Sequence, residues 1–271
     1  MDWNRSKNII ILLLLIVNIF LAVNLGYSLY VQKAAREAQV ASLMEYLGSK
    51  GIVMDSGILP GSNLGRVVML VERDRVLESA AADILVETAA SKTDGGVARY
   101  SGPGGNIMVQ SGGVLQGNIK VNYAEDESWE QAADSFTALL SDAGISSGFT
   151  DSANGVITIQ GAHNNLKIFN CEVSAESTQD GWSIGGRWCF GAALPVNNDA
   201  EMDAIGLVVK FVNRITAFGI EIRSIDGMEA GYLANNVLSI GIRLTPVYRI
   251  ATDMGEFYIN AIDGTLVSAE Y

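Results

Sequence analysis

The feature that most restricts the fold is a run of 25 residues without a charged side chain, residues 8–32. Inside it, residues 9–25 are apolar except for Asn18 and Asn24. As an α-helix, the run would be about 37 Å long, which exceeds the hydrocarbon core of a bilayer at about 30 Å. The sequence therefore predicts a helix that crosses a membrane once.

A cleaved signal peptide is the alternative interpretation of this run. The apolar part of a signal peptide usually has about 7–15 residues and ends at small side chains. Here the run is longer, and its candidate cleavage point after Asn24 lacks a small residue. We therefore favour an uncleaved anchor. A short tail carrying Arg5 and Lys7 precedes the run and a large domain follows it, which predicts a cytoplasmic N-terminus and an extracellular C-terminal domain.

The charge of the chain after residue 32 argues against nucleic-acid binding. This part has 16 basic and 29 acidic residues, a net charge of −13, whereas nucleic-acid binding requires basic patches.

Residues that catalysis commonly uses are scarce in this sequence. Its single histidine, His163, lies in a predicted hairpin turn, and no Gly-x-Ser-x-Gly motif is present. We therefore expect a protein that is not an enzyme and that uses no cofactor.

Two groups of acidic residues precede predicted helices. Acidic side chains at helix N-termini stabilise the helix dipole by about 0.3–1 kcal/mol each, so we expect a structural role. A calcium site is the alternative, although neither group has a recognised loop spacing. The groups are Glu125, Asp126, Glu127 and Glu130, and Asp199, Glu201 and Asp203.

The two cysteines, Cys171 and Cys189, are separated by 18 positions and fall in two predicted strands with a turn between them. An oxidising exterior would permit a cross-strand disulfide bond. Two buried free thiols are an equally good interpretation. With one histidine in the chain, we expect no metal site at these cysteines.

The order of predicted elements repeats along the chain, because a helix followed by several strands occurs three times. The predicted helices start at Asp74, at Ser128 or Asp126, and at Asn197 or Asp199. We predict an α+β fold in which a transmembrane helix precedes repeated units of one helix on an antiparallel sheet. The predicted segments are a cytoplasmic tail (1–7), a transmembrane helix (8–32), a stalk helix (33–50) and three α+β units (51–123, 124–196 and 197–271).

Asn18 is the polar residue that most suggests a function. It lies near the middle of the predicted membrane helix, where an amide favours a hydrogen-bonding partner on another helix. Leu14, Leu21 and Leu25 share its face at helical spacing. An asparagine tolerated in lipid is the alternative, and we favour a contact with a partner helix.

Both ends of the chain carry motifs that can be compared with those of known families. The sequence begins Met1-Asp2-Trp3 with basic residues nearby, and Asn18-Ile19-Phe20-Leu21 follows inside the apolar run, which resembles the start of YycI-type proteins of Gram-positive bacteria. Near the C-terminus, residues 244–250 (LTPVYRI) and residues 255–264 (GEFYINAIDG) are similar to the closing hairpin of the YycH/YycI superfamily and of PepSY-like domains. Position 248 is tyrosine where tryptophan is more usual.

This resemblance implies a regulator rather than an enzyme. YycI-type proteins are membrane-anchored partners of a sensor histidine kinase of the WalK/YycG type, which controls cell-wall metabolism, and they act together with a YycH-like membrane protein. Contact between transmembrane helices would then involve the face of Leu14, Asn18, Leu21 and Leu25. The alternative is a tethered extracellular PepSY-like module that binds or inhibits a secreted protease or a wall component.

Overall fold

The computed structural model describes residues 3–60, 64–87, 90–121, 128–196, 199–237 and 241–267. The chain divides into two compact units, Met1–Gly57 and Ile58–Tyr271. We call the first the helical unit and the second the sheet domain. The fold is mixed α+β, with one long apolar N-terminal helix and one large sheet.

The helical unit consists mainly of one long helix, α1 (Trp3–Ser49), followed by the short strand β1 (Val53–Met54). Within the described residues, α1 is the one helix that is long and apolar enough to cross a membrane. It continues without a break through the predicted stalk. The helix ends where Gly51 takes a positive φ of 74° and the Ile52 N–H donates to the Leu47 carbonyl.

In the part of the sheet domain that the structure describes, there are three α-helices, α2 (Arg75–Val86), α3 (Trp129–Asp142) and α4 (Ala204–Ala217). The predicted first and second helices are confirmed, and so are their caps. The Asp74 carboxylate accepts from the N–H groups of Val76 and Leu77, and Ser128 forms a reciprocal capping box with Gln131.

The predicted start of the third helix at Asp199 is wrong, and the other predicted start, Asn197, lies outside the described residues. The helix begins at Ala204, since it is the Asp203 side chain that accepts from the Ile205 N–H. The segment before it is held elsewhere, because the Met202 N–H donates to the carbonyl of Ala261.

The strands of the sheet domain lie between and after these helices. They are β2 (Met69–Glu72), β3 (Ala90–Asp94), β4 (Val97–Gly102), β5 (Gly105–Val109), β6 (Val114–Ile119), β7 (Thr150–Ala153), β8 (Val156–His163), β9 (Leu166–Thr178), β10 (Gly181–Arg187), β11 (Ala193–Pro195), β12 (Ser224–Val237), β13 (Gly241–Thr252), β14 (Gly255–Asn260) and β15 (Leu266–Val267).

Ten of these strands follow one another across the sheet in the order β11-β2-β13-β12-β9-β10-β6-β5-β4-β3. Their pairs are antiparallel except for β12 and β9, which are parallel and register Tyr232 opposite Ile168. The hairpin of β7 and β8 is attached to β9, and β14 with β15 is attached to β13. Strands β4, β5 and β6 form an antiparallel meander.

Two long strands near the C-terminus lie in the middle of the sheet. β12 runs from Ser224 through Val237. Pro246 lies inside β13. The missing N–H of Pro246 is tolerated there because of its position along β13. Residues 241–244 pair with β2 and residues 247–252 pair with β14, and Pro246 lies between these two stretches.

Helices α2 and α3 pack in a common core rather than on separate sheets. One cluster of buried side chains combines Leu85 of α2, Phe136 of α3 and Ile159 and Ile184 of the sheet. Helix α4 contacts β14 through Phe211 and Phe257, whose ring centres are 5.5 Å apart. The division into three repeated units is not confirmed by this packing and stays a prediction.

Candidate functional site

The predicted contact face of the membrane helix lies on one side of α1. Leu14, Asn18, Leu21 and Leu25 are three or four residues apart, so the continuous helix brings them onto one stripe. The three leucines are 54–62% exposed, and Asn18 is exposed too. Residues 11–31 are all exposed, so exposure alone does not distinguish this face. The face is distinguished by an amide that lies near the middle of the apolar run with leucines before and after it on the same stripe.

The two cysteines meet in the sheet domain. Cys171 is buried in β9, and Cys189, two residues after the end of β10, is half-buried. Their Sγ atoms are 3.6 Å apart, and the Cys171 thiol is also 3.3 Å from the carbonyl oxygen of Arg187. The neighbouring Cys189 thiol and burial hold the pKa of Cys171 well above its usual value. Both side chains are free thiols here, so the disulfide bond stays a prediction.

The most buried ion pair among the described residues is that of Arg66 and Glu201, which was not among the predicted site residues. Their side chains are 2% and 0% exposed. The Arg66 Nη2 and Nε atoms both donate to the Glu201 carboxylate, the latter over 3.1 Å. Its Nη1 atom donates to the carbonyl oxygens of Gly231 and Val247, each at 2.7 Å. The Arg66 guanidinium therefore connects the segment before β2, the start of α4 and both central strands β12 and β13.

Glu201 belongs to the acidic group that was predicted to stabilise a helix dipole. That interpretation is wrong for Glu201, whose carboxylate pairs with the Arg66 guanidinium. Asp203 does have a structural role at a helix N-terminus, because its side chain caps α4. The one sequence signal for the pair is the position of Arg66 immediately before the apolar run 67–71. A cation entering a buried strand requires a partner, but the sequence does not say which of the acids provides it.

Tyr248 of β13 lies against the same ion pair. The Arg66 guanidinium carbon is 4.4 Å from the centre of the Tyr248 ring, a cation–π contact. Burial raises the pKa of Tyr248 to about 12, with the Arg66 cation acting in the opposite direction. These three residues form one polar cluster inside an otherwise apolar layer.

We expect alkaline conditions to destabilise the sheet domain through Tyr248. Its folded-state pKa of about 12 lies above the value of about 10 for an exposed tyrosine. The neutral phenol therefore contributes its full stability below about pH 10, and this contribution is lost as the pH rises towards 12. In urea unfolding, Tyr248→Phe should show a smaller fall in stability over that interval than the native chain. An equal fall in the two proteins would contradict the expectation.

The remaining titratable groups do not gather into a metal site within the described residues. Glu125, Asp126 and Glu127 lie outside those residues. His163 ends β8 and is half-buried, with its ring 5.7 Å from Tyr232, and burial lowers its pKa. Asn164 and Asn165 both have positive φ and form the predicted hairpin turn.

A cleft of about 670 Å³ lies beside the start of α2. Its polar lining includes Arg73 and Asp74, and both serve the fold. Arg73 donates to the Glu78 carboxylate and to the Gly96 carbonyl, while Asp74 caps α2. Arg73 and Asp74 are thus engaged by internal hydrogen bonds.

No family model and no curated protein matches this chain. Solved structures similar to it include the following two, both with low scores. An uncharacterized protein from Eubacterium rectale ATCC 33656 has a TM-score of 0.45 and 9% identity, over 77% of this chain and 86% of that one. The Bacillus megaterium YpeB C-terminal domain has a TM-score of 0.35 and 10% identity, over 74% of this chain and 98% of that one. Neither similarity bears on function.

Proposed function

We propose that this chain is a membrane-anchored regulatory protein, without enzymatic activity, that acts through contacts of its N-terminal helix. The helix crosses the membrane once, with the N-terminus in the cytoplasm and the sheet domain outside. Its partner is a sensor histidine kinase that controls cell-wall metabolism, together with a YycH-like membrane protein. The kind of partner rests on the resemblance of both chain ends to YycI-type proteins.

The observation that carries this proposal is Asn18 in the middle of an exposed apolar helix. A buried amide in lipid loses its hydrogen bonds to water, and a polar residue on a second helix can replace them. The leucines before and after it on the same face provide a surface for close packing. A helix that served only as a tether would require hydrophobicity and length, and not a polar residue at this position.

The sheet domain is consistent with a binding role. Its most buried ionic groups, Arg66 and Glu201, are paired with one another. Arg73 and Asp74 at the cleft beside α2 are engaged within the fold. The net charge of −13 after residue 32 disfavours contact with nucleic acid or anionic wall polymers.

Replacing Asn18 by leucine is expected to weaken kinase binding about fivefold. An interhelical hydrogen bond in a membrane contributes roughly 1 kcal/mol, which corresponds to that factor. Binding can be measured in membranes with a two-hybrid assay against the cell-wall sensor kinase, with the YycH-like protein present. Asn24→Leu is the matched control, because it is the same substitution in the same apolar run on a different helix face.

Photocrosslinking locates the contact directly. A photoreactive residue at Leu21 should crosslink to the kinase, whereas one at Val23 on the opposite face should not. Binding that neither Asn18→Leu nor Asn24→Leu changes would keep the partner and remove the proposed face. If the native chain bound neither the kinase nor the kinase with the YycH-like protein, the regulatory proposal would fail. A tethered extracellular module acting on a protease or wall component would then be the better account.

A further inference from the structure

The environment of Cys171 is shaped around its thiol. It faces a bulge in β8, where the register shifts between Gln160 and Ala162. A Cβ atom on the intervening Gly161 would lie 2.8 Å from the Cys171 sulfur, which is shorter than any normal contact. Glycine at this position therefore leaves room for the sulfur next to that of Cys189.

The segment that carries Cys189 is fixed on both sides of the cysteine. The Trp188 N–H donates to the Gly113 carbonyl over 2.8 Å, and the Trp188 indole N–H donates to the Gly144 carbonyl over 3.1 Å. On the other side, the Phe190 carbonyl accepts from the N–H of Asp74 over 3.1 Å. These bonds hold Cys189 opposite Cys171, so little conformational freedom is lost when the two sulfurs join.

The two thiols differ in their access to solvent. Cys171 is 1% exposed, whereas Cys189 is half-buried and lines a small cleft of about 290 Å³. Leu77 and Ile84 of α2 form another wall of that cleft. A soluble reagent can therefore reach the Cys189 sulfur first, with Cys171 directly behind it.

We propose that Cys171 and Cys189 are a redox site, in which they form a disulfide bond by thiol–disulfide exchange that begins at Cys189. The oxidant is a small-molecule disulfide or the exposed disulfide of an oxidoreductase. The separation of 3.6 Å must close to about 2.05 Å, a movement of roughly 1.5 Å. This inference does not depend on the proposed function of the membrane helix.

The exchange proceeds in two displacements. Cys189, as a thiolate after losing its proton to solvent, attacks one sulfur of the oxidant disulfide. This forms a mixed disulfide and releases one thiolate of the oxidant. Cys171 then attacks the Cys189 sulfur, which forms the Cys171–Cys189 bond and releases the second thiolate, and this thiolate takes the Cys171 proton. In total, two cysteine thiols lose two protons and two electrons, and the oxidant disulfide is reduced to two thiols.

The bond would close a loop of 18 positions that contains the hairpin of β9 and β10. A loop of this length constrains the unfolded chain enough to raise the thermal midpoint by roughly 6–12 °C for a domain of this size. The segment after β10 bonds to the N-cap of α2 through Phe190 and to the end of α3 through Trp188 and Gly144. The disulfide bond would therefore connect both helices of the common core to the sheet. The oxidation state of the two cysteines would thus set the stability of this part of the sheet domain.

Mass spectrometry of the full-length chain in detergent micelles tests the proposal. After reduction and removal of the reductant, the chain is treated with oxidised glutathione, quenched in acid, denatured and alkylated. We expect two alkylated cysteines before oxidation, and none afterwards, with a loss of two hydrogens and no retained glutathione. Two thiols that stay free, or two glutathione adducts on one chain, would overturn the site.

The order of attack is tested with single variants. In Cys171→Ser, glutathione should attach to Cys189, and in Cys189→Ser it should attach to Cys171 at least about tenfold more slowly. Peptide mapping of the first adduct in the native chain gives the same information without a variant that fails to fold. An adduct that appears first on Cys171 would contradict the order. We also expect that reductant lowers the thermal midpoint of the oxidised native chain but not that of the Cys171→Ser/Cys189→Ser variant. A native midpoint that reductant leaves unchanged would contradict the stabilisation by the disulfide bond.

Discussion

Replacing Arg66 by alanine is expected to lower the free energy of unfolding of the sheet domain by about 3–5 kcal/mol. The substitution leaves the Glu201 carboxylate buried with no cation beside it, which costs several kcal/mol in a low-dielectric interior. It also removes both hydrogen bonds to the carbonyls of Gly231 and Val247 in the two central strands.

Urea unfolding of the full chain in micelles measures this loss, with Arg249→Ala as the matched control. Arg249 also bonds two carboxylates, of Glu229 and Glu256, but its side chain is 32% exposed, so its loss should cost about 1 kcal/mol. Exchanging both partners, Arg66→Met with Glu201→Leu, should recover more than half of the loss, because no unpaired charge is then left. If Arg66→Ala and Arg249→Ala destabilised the protein equally, the buried ion pair would not have the role we assign to it.

Local signals in the sequence were sufficient for α2 and α3. Each has a capping side chain, Asp74 or Ser128, followed by apolar residues on one face, and both features depend on neighbours within a few positions. The same holds for the turn of Asn164 and Asn165 and for the apolar run of α1. These elements can be predicted because their formation depends on residues close together in the sequence.

The central strand β12 could not be predicted because its own residues carry no strand pattern. Gly227, Gly231 and the adjacent Asn235 and Asn236 read as a loop, and no alternation of apolar and polar residues marks the segment. The strand exists since it pairs along its length with β13 and touches β9 at Tyr232. At Gly231, a Cβ atom would meet the Phe169 ring at 2.5 Å, so the residue that suggested a loop is required by close packing.

Some candidate sites could likewise be predicted from the sequence, and others could not. The stripe around Asn18 follows from helical spacing alone, and the structure places its members on one face. That Cys171 and Cys189 approach within 3.6 Å agrees with their position in neighbouring predicted strands. Arg66 and Glu201, in contrast, are 135 positions apart, and nothing in the sequence distinguishes Glu201 from the neighbouring acids. Their pairing depends on the fold of the whole sheet domain.

Phe136→Ala should destabilise the sheet domain by about 3–5 kcal/mol, the cost of removing a large ring from a packed core. Phe136 is 2% exposed on the buried face of α3, and its ring stacks on that of Trp182 with the centres 4.5 Å apart. Trp182 in turn lies 5.4 Å from Trp129 at the start of the same helix. The vacated space cannot collapse easily, because β10 and α3 hold these rings from both sides. The loss therefore includes a cavity in addition to the lost burial of the ring.

Phe218→Ala is the control for this change, because the same side chain is removed from a position that is 69% exposed at the end of α4. It should alter the free energy of unfolding by no more than about 0.5 kcal/mol. Urea unfolding followed by tryptophan fluorescence gives both values. Similar losses for the two variants would show that α3 does not depend on the Phe136 contact. A large loss confined to Phe136→Ala would identify the stacked rings as the principal attachment of α3 to the sheet.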